Sequence, residues 1–361
     1  MDFLEDHKFW QGKRVLITGH TGFKGSWLTL MLSRLDARIL GISLKPETCP
    51  NLFDLANIAE LAENKFVDIN DESKLKIILE AWKPQIVFHL AAQSLVPRGY
   101  NEPIQTFDTN IIGTAKLLNI LRTIKNIMSI VVVTTDKVYE NKEWDWPYRE
   151  NDRLGSNDPY SASKAATELI VKSFRSSFFE RNNNTKIATA RAGNVVGGGD
   201  WSEDRLIPDM IKAITANKPL LVRNLKSTRP WQHVLEPIYS YLILAKKLAE
   251  GYKLSSEYNF GPASNANMSV ESILMECKKH FPNLSHIDDT KSTSQPREAN
   301  LLALDVTKSR LELGIEPILN FDETIDYTCE WYKNFIRGYD PKVLCMDQIS
   351  DFLLKIKQNK N

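Results

Sequence analysis

Tyr160 and Lys164 stand four residues apart in the run Tyr160-Ser161-Ala162-Ser163-Lys164. On a helix that spacing is one turn and stacks phenol and ammonium on one face. A free phenol has a pKa near ~10 and is a poor base at neutral pH. A cation beside it favours the phenolate, and nicotinamide chemistry at a sugar carbinol needs such a base. Taken alone, the spacing more often marks a packed ring and a solvated amine. Its meaning depends on what else the chain carries.

A glycine loop, Gly19-His20-Thr21-Gly22-Phe23-Lys24-Gly25, separates a strand expected over Lys13–Thr18 from a helix expected over Phe23–Asp36. Glycines there permit a tight turn, close approach of backbone to a pyrophosphate, and close helix-strand packing. The spacing is Gly-x-x-Gly-x-x-Gly rather than Gly-x-Gly-x-x-Gly, but the strand-loop-helix context favours a dinucleotide over a plain turn. Gly19, Thr21, Gly22, Phe23, Lys24 and Gly25 are the candidate loop contacts, with Ala91 and Ala92 after a later strand. No Asp or Glu follows the second strand in Gly41-Ile42-Ser43-Leu44-Lys45. The choice between NAD and NADP therefore stays open. Asp68, with Ile69 beside it, is a candidate for the adenine end; its alternative is the N-cap of the next helix.

The elements that must position these groups alternate. Strands are expected at Lys13–Thr18, Arg38–Ile42, Phe66–Ile69, Gln85–Leu90, Ile130–Thr134 and Lys186–Arg191. Helices are expected at Phe23–Asp36, Glu72–Trp82, Asp108–Thr123 and Asp158–Glu180. The fold class is α/β, a doubly wound parallel sheet of Rossmann type with sites at the carboxyl ends of its strands. The glycine-rich stretch after Arg191 marks a crossover into a smaller C-terminal substrate-binding lobe. The dinucleotide-binding domain is expected over 1–195 with a returning segment at about 235–262. The second lobe takes 196–234 and 263–361, with further helices at about Leu235–Glu250 and Ser269–His280.

The 361 residues hold 46 basic and 45 acidic side chains, so no charge excess points to nucleic acid or a membrane surface. The most apolar runs, such as Ile130-Val131-Val132-Val133, are too short to span a bilayer, and no signal peptide is expected. Cys49, Cys277, Cys329 and Cys345 are scattered without zinc spacing and read as reduced core thiols of a cytoplasmic protein. No metal is expected.

Together the motifs resemble the extended short-chain dehydrogenase/reductase family, and within it the 4,6-dehydratases of CDP-glucose. The matching segments are Gly19–Trp27, His89-Leu90-Ala91-Ala92-Gln93, Thr134–Asn141, Asp158–Lys164, Arg191–Trp201, Asp204–Asp209 and Arg229–Pro237. The resemblance implies NAD recycled within each turnover. It also implies CDP-glucose as substrate and CDP-4-keto-6-deoxyglucose as product, feeding deoxysugar and lipopolysaccharide O-antigen synthesis. It further implies a homodimer or homotetramer built on the helices carrying Asn110 and Tyr160.

That chemistry sets demands that side chains can meet. The carbon 5 proton of a hexose becomes acidic only once carbon 4 is a ketone. The enzyme needs an alcohol base, a carbon base, a leaving-group acid and a captive cofactor. Tyr160 is the candidate alcohol base, with Lys164 lowering its pKa and holding the nicotinamide ribose. Thr135 is placed to hydrogen-bond the carbon 4 oxygen, Asp136 to protonate the carbon 6 hydroxyl, and Lys137 to partner it or serve as base at carbon 5. A lysine serves as that base only where its surroundings depress its pKa. Read alone, Thr135-Asp136-Lys137 is a strand-to-loop turn with a surface ion pair. Candidate substrate contacts are Gln93, Asn194, Arg205, Arg229, His233 and Arg297, since arginine forks suit a pyrophosphate. His89 reads as a packed core group, Asn110 as an orienting or plain helix residue, and Trp144, Trp146 and Tyr148 as an aromatic loop. The competing functions are a dehydratase or epimerase for a dTDP, UDP or GDP sugar, or a non-catalytic dinucleotide-binding protein.

Overall fold

A computed structural model describes residues 3–182, 185–262, 267–288 and 301–359. Its centre is a seven-stranded parallel sheet. The strands are β1 (Arg14–Thr18), β2 (Arg38–Ser43), β3 (Glu63–Phe66), β4 (Ile86–His89), β5 (Ser129–Val133), β6 (Lys186–Ala192) and β7 (Glu257–Phe260), in spatial order β7-β6-β5-β4-β1-β2-β3. The order reverses between β1 and β4, which opens a crevice at their carboxyl ends. β4 and β5 are buried throughout, as continuous apolar runs in a sheet covered on both faces must be.

The principal helices are α1 (Phe23–Arg34), α2 (Glu72–Trp82), α3 (Thr114–Leu121), α4 (Pro159–Phe174), α5 (Leu235–Ala249), α6 (Val270–His280), α7 (Phe321–Ile336) and α8 (Pro341–Gln358). Local chemistry explains several starts. Asp158 caps α4, its Oδ1 accepting from Ser161 N at 3.0 Å, and Pro159 begins the first turn. Asn320 and Glu323 form a reciprocal capping box on α7.

Some expectations are corrected. The third strand is Glu63–Phe66 rather than Phe66–Ile69. It is the sheet's outer strand, paired only with β2, so its polar residues are tolerated and its apolar content marks no boundary. The helix expected over Asp108–Thr123 opens with a π-helical turn at Asp108–Gly113, and the one over Asp158–Glu180 contains another at Arg175–Phe179. The seventh strand lies in the returning segment that periodicity left unassigned. Cys277, Cys329 and Cys345 are buried, but Cys49 is exposed in the loop after β2.

The region expected to form the second lobe holds three two-stranded ribbons: Val195–Val196 with Gln232–His233, Thr228–Pro230 with Asn267–Ser269, and Leu220–Val222 with His286–Asp288. It shares a core with the sheet. Trp27 of α1 donates from Nε1 to Gly198 O at 3.0 Å, and Trp331 of α7 lies so close to Gly198 that any Cβ there would overlap its ring. That contact fixes the lobe over the crevice.

Candidate functional site

Two glycines of the first loop have no room for a side chain. Gly19 has φ +79°, and a Cβ there would lie 2.7 Å from Ala91 N; a Cβ on Gly25 would lie 2.1 Å from Gly19 O. The loop is thus pressed against the end of β4, where Ala91 N donates to Thr18 Oγ1 at 3.2 Å. Gly22 is the N-cap of α1 and contributes no side-chain cap. The first N–H groups of α1 remain for an anion, as a dinucleotide's pyrophosphate requires. The residues present fit such a cofactor.

The adenine end is less acidic than usual for this fold. Thr21 Oγ1 shares a 2.7 Å hydrogen bond with Ser43 Oγ and donates to Leu44 O at 3.0 Å, so hydroxyls close the end of β2. Asp68 is exposed and accepts from Asn70 N at 2.8 Å, while Asp71 is the residue that caps α2. Ile69 beside it is buried. His20, which the sequence did not single out, lies under Gly41 and meets Asn64 Oδ1 at 2.9 Å; burial keeps its pKa low.

Tyr160 and Lys164 are both buried on α4. The surroundings of the pair bear on the expected tuning. Burial pushes the Tyr160 phenol up to about 12; the neighbouring Thr135 hydroxyl and the Arg205 charge act against that, and the Asp136 charge reinforces it. Lys164 does not reverse the balance, because burial pushes the ammonium itself down to about 8 against the opposing pull of Glu168. Its Nζ donates to Val133 O at 3.3 Å. In the chain alone the phenol is a proton reservoir rather than a ready phenolate.

Thr135, Asp136 and Lys137 leave β5 in a single 3-10 turn capped by the Thr135 hydroxyl, which accepts from Lys137 N at 3.3 Å. Thr135 Oγ1 donates to Asp136 Oδ1 at 3.0 Å, and Lys137 Nζ stands 3.6 Å from the same oxygen. Asp136 is only 1% exposed, which excludes a surface ion pair. Its Oδ2 is buried without a hydrogen-bond partner. A Cβ on Gly193 would lie 2.6 Å from Pro230 Cγ and 3.3 Å from that oxygen, so the second lobe closes directly over it.

The remaining candidates divide. Arg205 reaches the site, with Nη1 donating to Asp200 Oδ2 at 2.8 Å and its charge acting on Tyr160. Asn194 is half-buried just after β6, and Arg229 is buried in the ribbon Thr228–Pro230. Gln93 is diverted inward: its Nε2 donates to Thr106 Oγ1 at 2.9 Å and its Oε1 accepts from Leu95 N at 2.6 Å. His233 is fully buried between Trp27 and Tyr327, its Nε2 without a hydrogen-bond partner among the described residues, and burial lowers its pKa to about 3. Arg297 lies outside the described residues. Asn110 holds the Gln93 backbone and donates to Ser163 Oγ at 2.8 Å. His89 is a core group bonded to Thr18 and Thr114, as expected. Trp144, Tyr148 and Tyr139 form a three-ring stack.

Sequence reasoning missed Glu168 and Arg191, which support this constellation from below. Arg191, a charged residue between Ala190 and Ala192 near the buried end of β6, was the available signal. Among the described residues no cluster of His, Cys, Asp and Glu could hold a metal, and no helix is long and apolar enough to cross a membrane.

With this geometry, comparison with known proteins becomes informative. The family model described as GDP-mannose 4,6 dehydratase matches residues 16–328. The chain belongs to that family, within the extended short-chain dehydrogenases/reductases. A CDP-glucose 4,6-dehydratase of Salmonella typhimurium is 43% identical over 354 residues, covering 96% of this chain and 98% of the relative. A probable dTDP-glucose 4,6-dehydratase of Sinorhizobium fredii is 30% identical over 88% of this chain and 92% of its own length. Among solved structures, the fold is shared with a dTDP-glucose 4,6-dehydratase of Bacillus anthracis in complex with NAD. That match has a TM-score of 0.73 and 22% identity, covering 92% of this chain and 100% of that one. An epimerase of Methanothermobacter thermautotrophicus superposes with a TM-score of 0.78 at 22% identity, covering 92% and 96%.

Proposed function

We propose that the chain is an NAD-dependent CDP-glucose 4,6-dehydratase that converts CDP-glucose to CDP-4-keto-6-deoxyglucose and water. The observation that carries this reading is Asp136. A simple dehydrogenase or epimerase has no use for a buried carboxyl with a free oxygen beside its tyrosine, whereas removal of a hydroxyl needs an acid there. The extent of the likeness to the Salmonella relative supports the choice of CDP-glucose.

The glycine loop, Ala91, Ala92 and the first turn of α1 would hold NAD, with Asp68 and Ile69 toward the adenine and Lys164 at the nicotinamide ribose. When bound there, NAD would supply a hydride acceptor for carbon 4 and a hydride donor for carbon 6. Tyr160 takes the proton of the carbon 4 hydroxyl while Thr135 holds that oxygen. The resulting ketone makes the carbon 5 proton acidic. Lys137 takes up that proton, and Asp136 delivers a proton to the carbon 6 oxygen, which leaves as water. Nitrogen gains one proton and oxygen loses one, 3.6 Å apart at the nearer oxygen. When hydride returns to carbon 6 the Lys137 ammonium gives its proton back to carbon 5, and the proton taken up by Tyr160 restores Asp136. Arg205, Arg229 and Asn194 are the candidate ligands for the nucleotide sugar.

Action as a homodimer or homotetramer belongs to the same reading. Ile104, Ile112 and Leu169 are exposed on the helical faces around Asn110 and Tyr160. So do a cytoplasmic location and a supply of deoxysugars for O-antigen. The test is incubation of the NAD-loaded protein with CDP-, dTDP-, UDP- and GDP-glucose, followed by mass. Loss of one water from the CDP sugar is expected; failure of all four to lose water overturns the proposal. Water loss from a different sugar alone moves the substrate, not the chemistry.

A further inference from the structure

Lys24 is the second residue of α1, one step past the glycine loop's uncapped helix end. The residue is half-buried, and its ammonium makes no hydrogen bond among the described residues. The charges acting on it come from every wall of the crevice: Arg205 before the helix Leu206–Thr215, Asp136 and Lys137 after β5, and Lys164 on α4. Counting Lys24 itself, four cations surround one carboxylate. That carboxylate is no partner for Lys24, because Asp136 Oδ1 is held by Thr135 and faced by Lys137, while Oδ2 has no hydrogen-bond donor. Arg205 is balanced by Asp200, and Lys164 is drawn by Glu168, which leaves Lys24 as the cation without an acceptor. An ammonium has three donors, and burying them unmet is costly. Such a site is built for an anion with several acceptor oxygens.

We propose that the Lys24 side chain is a diphosphate ligand of this crevice, added to the backbone N–H groups that the loop itself presents. The inference rests on the reading that the crevice takes both NAD and a CDP sugar, and either diphosphate has the required chemistry. Burial and the Arg205 charge push Lys24 down to about 7, with Lys164 and Lys137 in the same direction and Asp136 against them. Near neutrality a large fraction is therefore uncharged amine. An arriving diphosphate favours the ammonium, so binding takes up a proton at Lys24. The sign follows: the ligand is held best below pH 7, and affinity falls as pH rises through that value.

The experiment measures binding of NAD alone and of CDP alone by calorimetry between pH 6 and pH 9, in buffers of different ionisation enthalpy. It uses the full chain and the variants Lys24→Met and Lys24→Arg. For the diphosphate that Lys24 holds, the wild-type dissociation constant should rise about tenfold or more across that range, with proton uptake near neutrality. Lys24→Met should bind about tenfold more weakly at pH 6 and lose the Lys24-dependent slope and proton uptake. Lys24→Arg keeps its charge at every pH, and should retain affinity while losing that slope. An effect on NAD alone assigns the residue to the cofactor; an effect on CDP alone assigns it to the nucleotide sugar. If Lys24→Met binds both ligands with wild-type affinity and pH dependence, the proposal is overturned. A Lys24-dependent affinity in a protein that removes no water from CDP-glucose keeps this inference and loses the proposed function.

Discussion

Glu168 and Arg191 meet in a two-armed ion pair beneath the helix that carries Tyr160, with Nε to Oε1 and Nη2 to Oε2 both at 2.9 Å. Both are buried, and the carboxylate also accepts from Thr134 and Thr189. Glu168 lies one turn beyond Lys164, so the pair joins α4 to the end of β6 and holds the Tyr160 helix at the crevice. Removing one arm leaves a buried charge without its partner. Glu168→Ala should cost about 3–5 kcal/mol, measured by urea unfolding. A loss within 1 kcal/mol would show that the pair does not position α4.

The proposed mechanism needs the Tyr160 phenolate, and burial holds the phenol up at about 12 in the chain alone. Turnover should therefore rise with pH across the neutral range. Lys164→Met should displace that rise to higher pH and lower the rate about 100-fold or more. Tyr160→Phe should abolish formation of the carbon 4 ketone. The pH profile of steady-state turnover checks the first point, and single-turnover absorbance of the reduced cofactor checks the last.

Asp136→Asn keeps the shape of the side chain and removes its proton. Carbon 4 oxidation should survive while water loss falls about 100-fold or more, so a sugar lighter by two hydrogens should accumulate. Mass analysis of quenched turnovers distinguishes this from normal dehydration, which would contradict the acid assignment.

Gly25→Ala places a methyl where 2.1 Å separates a Cβ from Gly19 O, a backbone atom with little freedom to move. The loop must shift, at a cost of about 1–3 kcal/mol or more. Thermal unfolding should show the loss, and NAD titration should show weakened binding.

Glu236 of α5 is a buried acid whose Oε1 accepts from Ile318 N at 2.9 Å and Leu319 N at 2.7 Å. Burial pushes its carboxyl up to about 7, against those two bonds. Its folded pKa exceeds the ordinary 4.5, so the folded chain binds more protons than the unfolded one between these values. Stability from this group is present below about 4.5 and is lost as pH rises through 7. Glu236→Gln should remove that loss. Its melting temperature relative to wild type should climb between pH 5 and pH 8; a constant difference would show that Glu236 does not titrate there.

The sequence alone determined the alternation of strands and helices, because apolar periodicity and caps such as Asp158-Pro159 are local. It determined the candidate chemistry too: Gly19–Gly25, Thr135–Lys137 and Tyr160–Lys164 each lie on one continuous stretch. Tertiary structure decided what no local pattern encodes. It turned Gln93 inward to Thr106 and His233 into the core between Trp27 and Tyr327. It buried Asp136 under Gly193 and Pro230, and it set the phenol of Tyr160 high rather than low. The reason is physical. Periodicity reports which face of an element is apolar, whereas desolvation and charge depend on atoms brought together from distant elements. Tyr160 and Lys164 are neighbours by sequence; how strongly each holds its proton is decided by burial and by Asp136, Arg205 and Glu168.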